Sequence, residues 1–236
     1  MDTLTIQNAR GVTIANRDFN GDGKGCAIVV ERGEGVVIER CTFKHMAQAI
    51  KLLYVTDVLI RDLVLEATDD GVPLSFNEQW IEAKDIELYG CTNVIVQRLS
   101  FRNKRGARAI VPWGPCKNIT IADCLFSDFG HDEPARADAG AIYADYAYGE
   151  SRPESLTIRN NRIEKYPNGT GVYIDGEVEK PGEMWSQVRI VNNTITGCRE
   201  PWRVAAQQSI VSGNVVKDCP EKGWHYAGPN GVQVLQ

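Results

Sequence analysis

The chain has 236 residues, 43% of them hydrophobic and 24% charged, with a formal net charge of −5, a composition that suits a folded chain with a sizeable core. The acidic balance and the lack of any basic run exclude a phosphate backbone as partner, so no nucleic acid is expected. No stretch of about 18 apolar residues occurs, which excludes a helical membrane span. Met1-Asp2-Thr3-Leu4-Thr5-Ile6 lacks the basic and apolar regions of a secretory signal, as expected for a cytosolic protein or one whose signal is gone.

Read from the N-terminus, a short apolar-x-apolar strand pattern recurs. It stands at Val12-Thr13-Ile14, Val36-Val37-Ile38, Val58-Leu59-Ile60, Val94-Ile95-Val96 and Ile119-Thr120-Ile121, then at Leu156-Thr157-Ile158, Val188-Arg189-Ile190 and Ser209-Ile210-Val211. Successive starts lie 24, 22, 36, 25, 37, 32 and 21 residues apart. A coil of roughly 21 or 22 residues, lengthened by insertions, explains these intervals. Five residues into each repeat stands a corner residue: Arg17, Cys41, Leu63, Leu99, Cys124, Asn161, Asn193 and Asn214. Two residues on, a second strand carries Phe19, Phe43, Leu65, Phe101, Phe126, Ile163, Ile195 and Val216. A third strand follows a loop, led by small residues at Ala27, Ala49, Gly71, Ala109, Ala141, Gly171, Pro201 and Gly223. Its inward positions read Ile28, Ile50, Val72, Ile110, Ile142, Val172, Trp202 and Trp224.

Eight coils of three strands specify an all-β parallel solenoid, with residues 1–236 expected as one β-helix domain. A single coil cannot bury its own apolar side, so coils stack with parallel strands about 4.8 Å apart. Helices are excluded because Val, Ile and Thr dominate and no 3.6-residue apolar period is sustained. A leucine-rich repeat would need a consensus that is absent. Asn161, Asn193 and Asn214 are expected to form an asparagine ladder at a tight corner, in a left-handed backbone that Asn tolerates. Seven cysteines lack the C-x-x-C spacing of a metal site. Cys91 with Cys116, and Cys198 with Cys219, share coil positions in adjacent turns. Packed thiols are the favoured reading and disulfides the alternative.

The segments Gly140-Ala141-Ile142-Tyr143-Ala144-Asp145, Leu156-Thr157-Ile158-Arg159-Asn160-Asn161-Arg162-Ile163 and Gly171-Val172-Tyr173-Ile174-Asp175 carry a family likeness. The chain resembles, over nearly its whole length, the pectate-lyase-like superfamily of right-handed β-helices. That superfamily includes polysaccharide lyases, glycoside hydrolases, epimerases and phage tailspikes. The Gly-His-Gly turn of polygalacturonases is missing, and Asp69-Asp70-Gly71 resembles one fragment of their signature. Neither end shows an amphipathic capping helix. The chain starts and stops inside a coil, at Leu4-Thr5-Ile6 and Val232-Gln233-Val234. A longer β-helix, or ends covered by a second copy in a homo-oligomer, is therefore expected.

The longest connections, at 128–136, 77–93, 146–154 and 176–187, flank the third strand, the face on which the resemblance places a substrate groove. Its outward positions are read as one column of Val29, Lys51, Pro73, Val111, Tyr143, Tyr173, Arg203 and His225. The next column is Glu31, Leu53, Ser75, Trp113, Asp145, Asp175, Ala205 and Ala227. Aromatic faces stack on sugars while carboxylates and arginine bind hydroxyl or uronate groups. Asp145 and Asp175 in consecutive coils make a carboxyl pair suited to glycoside hydrolysis. The alternative is that both simply cap strand-end turns. His131, beside Asp132 and Glu133, is a further acid–base candidate, and Arg203 a lyase base or uronate clamp. Tyr143, Tyr173, Trp113, Lys51 and His225 are the expected substrate contacts, with Trp185 a further sugar platform and Trp202 and Trp224 facing inward.

The leading expectation is a glycoside hydrolase acting on a polysaccharide or oligosaccharide with no cofactor. A polysaccharide lyase or epimerase acting on uronic acids, with Ca²⁺ held by acidic groups in the lyase case, is the second. A glycan-binding or structural solenoid is the third. A secreted carbohydrate enzyme would be extracellular or periplasmic.

Overall fold

Short runs in which apolar and polar residues alternate form the strands, because period two puts every second side chain into the core. The computed structural model describes residues 3–23, 25–67, 84–104, 108–129, 140–146, 151–176, 182–227 and 232–235. Among these residues every segment of regular structure is a strand and every strand pairing is parallel. The strands stack as three sheets around one axis. In the first sheet Val36 pairs with Val58, Val58 with Val94, and Val94 with Ile119. The ladder continues through Leu156, Val188, Ser209 and Val232.

The second sheet stacks Phe19 on Phe43, with ring centroids 4.9 Å apart, and Phe101 on Phe126 at 4.8 Å, the planes within 5° in both cases. Those spacings equal the rise from one strand to the next. Each ring therefore lies flat on its equivalent in the neighbouring coil. In the third sheet Ile28, Ile50, Ile86, Ile110, Ile142 and Val172 form a fully buried column. Burial of each such side chain contributes roughly 1.5–3 kcal/mol.

The corner between the first and second sheets is a ladder of polar residues. The Asn161 backbone N–H and side-chain amide donate to Asn193 Oδ1 at 2.9 and 3.0 Å. Those of Asn193 donate to Asn214 Oδ1 at 2.8 and 3.0 Å. The left-handed backbone sits one residue earlier than the sequence suggests. Asn160 and Asn192 have φ of 55° and 56°, and Gly213 has 63°. The preceding coils turn the same corner at Asn16, Arg40, Asp62, Arg98 and Asp123, all between 51° and 56°. Asn, Asp and Gly accept this conformation most readily. Arg98 takes it while its guanidinium forks onto Asp62, with Nε–Oδ1 2.7 Å and Nη2–Oδ2 2.9 Å. The inward Asn161 and Asn193 are left free to bond the neighbouring coil's backbone, and Cys41, Leu63, Leu99 and Cys124 fill the same buried position elsewhere.

Two strands of the third sheet depart from the expected register. The strand between Ile50 and Ile110 is Lys84–Tyr89, with Ile86 in the column. Gly71, Val72, Pro73 and Ser75 lie outside the described residues, and the supposed loop over 77–93 contains this strand. Its leading position holds Asp85 rather than a small residue. Asp85 is fully buried and paired with the equally buried Lys104 at 3.2 Å. In the last coil Trp224, not His225, pairs with Arg203, and His225 pairs with Val204. Trp224 therefore points outward, 45% exposed, and His225 inward. Trp202 takes the expected inward place opposite Val172.

Candidate functional site

The outward face of the third sheet places the candidate residues along the solenoid axis. Its first column is Lys51, Glu87, Val111, Tyr143, Tyr173, Arg203 and Trp224. Its second runs Leu53, Tyr89 and Trp113. It continues to Asp145, whose N–H donates to the Pro112 carbonyl at 3.1 Å, and to Asp175, whose N–H donates to that of Ala144 at 2.8 Å. Asp145 and Asp175 thus follow one another in consecutive coils, at strand ends, both half-buried.

Glu87 gathers the N-terminal half of this face. Its carboxylate accepts from the Gln48 amide at 3.0 Å and from Trp113 Nε1 at 2.9 Å, and it faces Lys51 at 3.4 Å and Lys84 at 3.6 Å. Burial pushes the Glu87 carboxyl up. Lys84, the Gln48 amide, Lys51 and Trp113 outweigh burial and hold it below its ordinary range. Trp113 also rests on Tyr89, centroids 4.3 Å apart, which meets Tyr54 edge-on at 5.1 Å. Gly114 is required beneath this stack: φ is +65°, and a Cβ there would lie 2.5 Å from the Tyr89 ring.

The C-terminal half is built on stacked tyrosines. The Tyr143 and Tyr173 rings lie 5.1 Å apart, and the Arg108 guanidinium covers Tyr143 at 3.6 Å. Tyr143 points outward by register, yet these neighbours bury it almost completely. Its hydroxyl donates to Asp175 Oδ2 at 2.7 Å. Burial raises the Tyr143 phenol far above its ordinary range. Arg108 opposes that rise, and Asp145 and Asp175 add to it. The phenol stays protonated and serves as a fixed donor. Asp145 Oδ1 accepts the Tyr146 N–H at 2.9 Å, and Asp175 Oδ1 accepts the Gly176 N–H at 2.8 Å. Both carboxylates therefore cap their own turns as well as facing the surface. Arg203 bonds Glu200 at 3.1 Å, with Tyr173 and Trp224 each within 6 Å of its guanidinium carbon.

Asp145, Asp175, Tyr143, Tyr173, Trp113, Lys51 and Arg203 all belong to this face. His131 lies outside the described residues. His225 turns inward because the last strand is displaced by one residue. Trp185 is fully buried and donates its indole N–H to the Asp145 carbonyl at 2.7 Å, so it props the strand end instead of offering a platform. Sequence reasoning missed Glu87, Lys84, Arg108 and Glu200. The signal for Arg108 and Glu200 is faint: both stand just before the small leading residue. Among the described residues no cluster of three or more His, Cys, Asp or Glu side chains is placed to hold a metal ion. The seven cysteines are free thiols, including Cys91, Cys116, Cys198 and Cys219.

Several solved structures share this architecture. An alginate lyase from Paenibacillus sp. str. FPU-7 superposes with a TM-score of 0.61 at 12% identity, covering 98% of this chain and 92% of that one. A DFA-IIIase from Arthrobacter chlorophenolicus, in complex with DFA-III, gives 0.58 at 12% identity, covering 94% of this chain and 58% of the other. The Streptococcus pneumoniae surface protein and adhesin PfbA gives 0.52 at 13% identity, with coverage of 98% and 77%. These likenesses carry the fold and leave the activity open, since one fold hosts many chemistries. No curated protein matches the chain at the level of sequence. The family described as "Right handed beta helix region" matches residues 2–235, and three parallel sheets wound about one axis agree with it: the chain belongs to the right-handed β-helix family.

Proposed function

We propose that the outward face of the third sheet is a carbohydrate site on which Asp145 and Asp175 act as the carboxyl pair of a glycoside hydrolase. The observation that carries this reading is the placement of two carboxylates in consecutive coils of one column, beside stacked tyrosines. Strand spacing sets their backbones about 4.8 Å apart. That is nearer the roughly 5–5.5 Å separation of retaining enzymes than the wider gap that admits a water. In such a pair one carboxylate attacks the anomeric carbon while the other carboxyl protonates the departing oxygen. The Tyr143 hydroxyl, held on Asp175 Oδ2, orients Asp175 for one of these roles. Tyr173 and Trp224 offer rings to a sugar, and Arg203 and Lys51 offer polar contacts at the two ends of the face.

The lyase reading asks Arg203 or Lys51 to take a proton, but each is already engaged by a carboxylate, Glu200 at 3.1 Å or Glu87 at 3.4 Å. The capping bonds of the two aspartates favour a different second reading, a glycan-binding solenoid without turnover. A panel of polysaccharides and oligosaccharides, assayed with and without EDTA, tests these together. Hydrolysis predicts new reducing ends without ultraviolet-absorbing unsaturated products. Asp145→Asn and Asp175→Asn should each lower turnover by about 100-fold or more while melting like the parent. Full activity in both variants would remove the pair from the chemistry. Tight glycan binding by the parent with no turnover would favour the binding solenoid.

A further inference from the structure

One thiol pair lies away from the third-sheet face and has no part in the proposed hydrolysis. Thr196 pairs with Lys217, and the Glu221 N–H donates to the Arg199 carbonyl at 3.0 Å. One offset thus holds on both sides, and Cys198 stands directly opposite Cys219 in the next coil. Neighbouring strand positions are about 4.8 Å apart, inside the span that a disulfide bridges. The Cys219 thiol donates to the Lys217 carbonyl at 3.4 Å, and the Cys198 thiol to the Thr196 carbonyl at 3.9 Å. Cys198 is wholly buried, whereas Cys219 is half-buried and borders solvent. The facing Cys198 thiol draws the Cys219 thiol below its ordinary range, and the same neighbour together with burial pushes Cys198 up.

The other stacked pair provides the contrast. Cys91 and Cys116 are also in register, the Lys117 N–H donating to the Cys91 carbonyl at 2.9 Å. Both are fully buried, and burial pushes both thiols up, Cys91 to about 11. Cys26 reaches solvent in part, but burial pushes it to about 11 as well. Of these thiols, Cys219 alone combines access to solvent with a facing thiol in the next coil, the combination that makes a cysteine reactive.

We propose that Cys198 and Cys219 form an oxidation site, converted by a hydroperoxide into a disulfide that staples the last two coils together. The Cys219 thiolate attacks one peroxide oxygen, the O–O bond breaks, and the hydroxide released takes a proton to become water. The resulting sulfenic acid is attacked by the Cys198 sulfur. The S–O bond breaks and a second water leaves with the thiol proton. Two thiols and one hydrogen peroxide thus give one disulfide and two waters, sulfur losing two electrons and peroxide gaining them. The staple fixes the coil that presents Trp224 beside Arg203, so it also steadies that end of the face.

The test uses the folded chain and one equivalent of hydrogen peroxide, followed by alkylation, digestion and mass spectrometry. The expected product is two mass units lighter, carries a Cys198–Cys219 linked peptide and is restored by dithiothreitol. Its remaining five of seven cysteines should be alkylated. Cys198→Ser should leave a sulfenic acid at Cys219 that dimedone traps. Further oxidation of Cys219 while Cys198 stays alkylatable would overturn the proposal. So would a link between Cys91 and Cys116, or no thiol loss after about ten equivalents.

Discussion

At Asn193 one side chain serves three coils. Its Oδ1 accepts twice from Asn161, and its amide donates to the Ile158 carbonyl at 3.0 Å and to Asn214 Oδ1 at 3.0 Å. Removing it strands buried polar groups above and below, each unsatisfied group costing about 1–3 kcal/mol. Asn193→Ala should therefore lower unfolding free energy by about 2–4 kcal/mol, read from urea midpoints. A loss under about 0.5 kcal/mol would mean that the ladder is ornamental. The ladder itself was legible, because three asparagines recur at one offset from the strand pattern. Which residue carries the left-handed backbone was not. A sequence shows amides but not φ, and the inward amide is better used bonding the next coil while Asn160, Asn192 and Gly213 turn the chain.

At the level of strands, Glu87 ties Gln48–Arg61, Lys84–Tyr89 and Arg108–Trp113 together through Lys51, Lys84, Gln48 and Trp113. Its carboxyl is held below the ordinary range, so its stabilisation is complete above the unfolded value of roughly 4.3. That stabilisation fades as pH falls through the folded value. Glu87→Gln should cost about 1–2 kcal/mol at pH 7, and the gap to the parent should close below about pH 4. Urea melts of both proteins across that range measure it. A gap independent of pH would mean that the charge is not what binds these strands.

This strand was the least legible part of the fold. Gly71-Val72 mimics the small-then-apolar lead of other coils, whereas the true lead is Asp85, made tolerable by Lys104. Gly223 misled in the same way. It is small because the Trp202 indole occupies its space, 2.2 Å from where a Cβ would stand, not because it opens the strand. The first two sheets were readable because their apolar positions follow the corner at a fixed distance. The third follows loops of varied length, so most of the charged half of the candidate site could not be placed from sequence.

Over the whole molecule, each coil touches chiefly its neighbours, so stability is a sum of local and nearest-neighbour terms. Burial is unequal along that sum. Ile119 and Ile121 are at most 1% exposed, whereas Val215 and Val216 are 48% and 39% exposed. Amide exchange should be at least about 100-fold faster across Val215–Lys217 and Trp224–Ala227 than across Lys117–Ala122. Uniform exchange along the axis would show that the solenoid opens as one block. The direction of the hydrogen bonds has a mechanical consequence. Because they join coil to coil along the axis, tension between the two ends would load one layer at a time and peel the stack. Each released layer of about 22 residues would yield roughly 75 Å of slack chain. A sideways pull would instead load many layers at once and meet a much stiffer body.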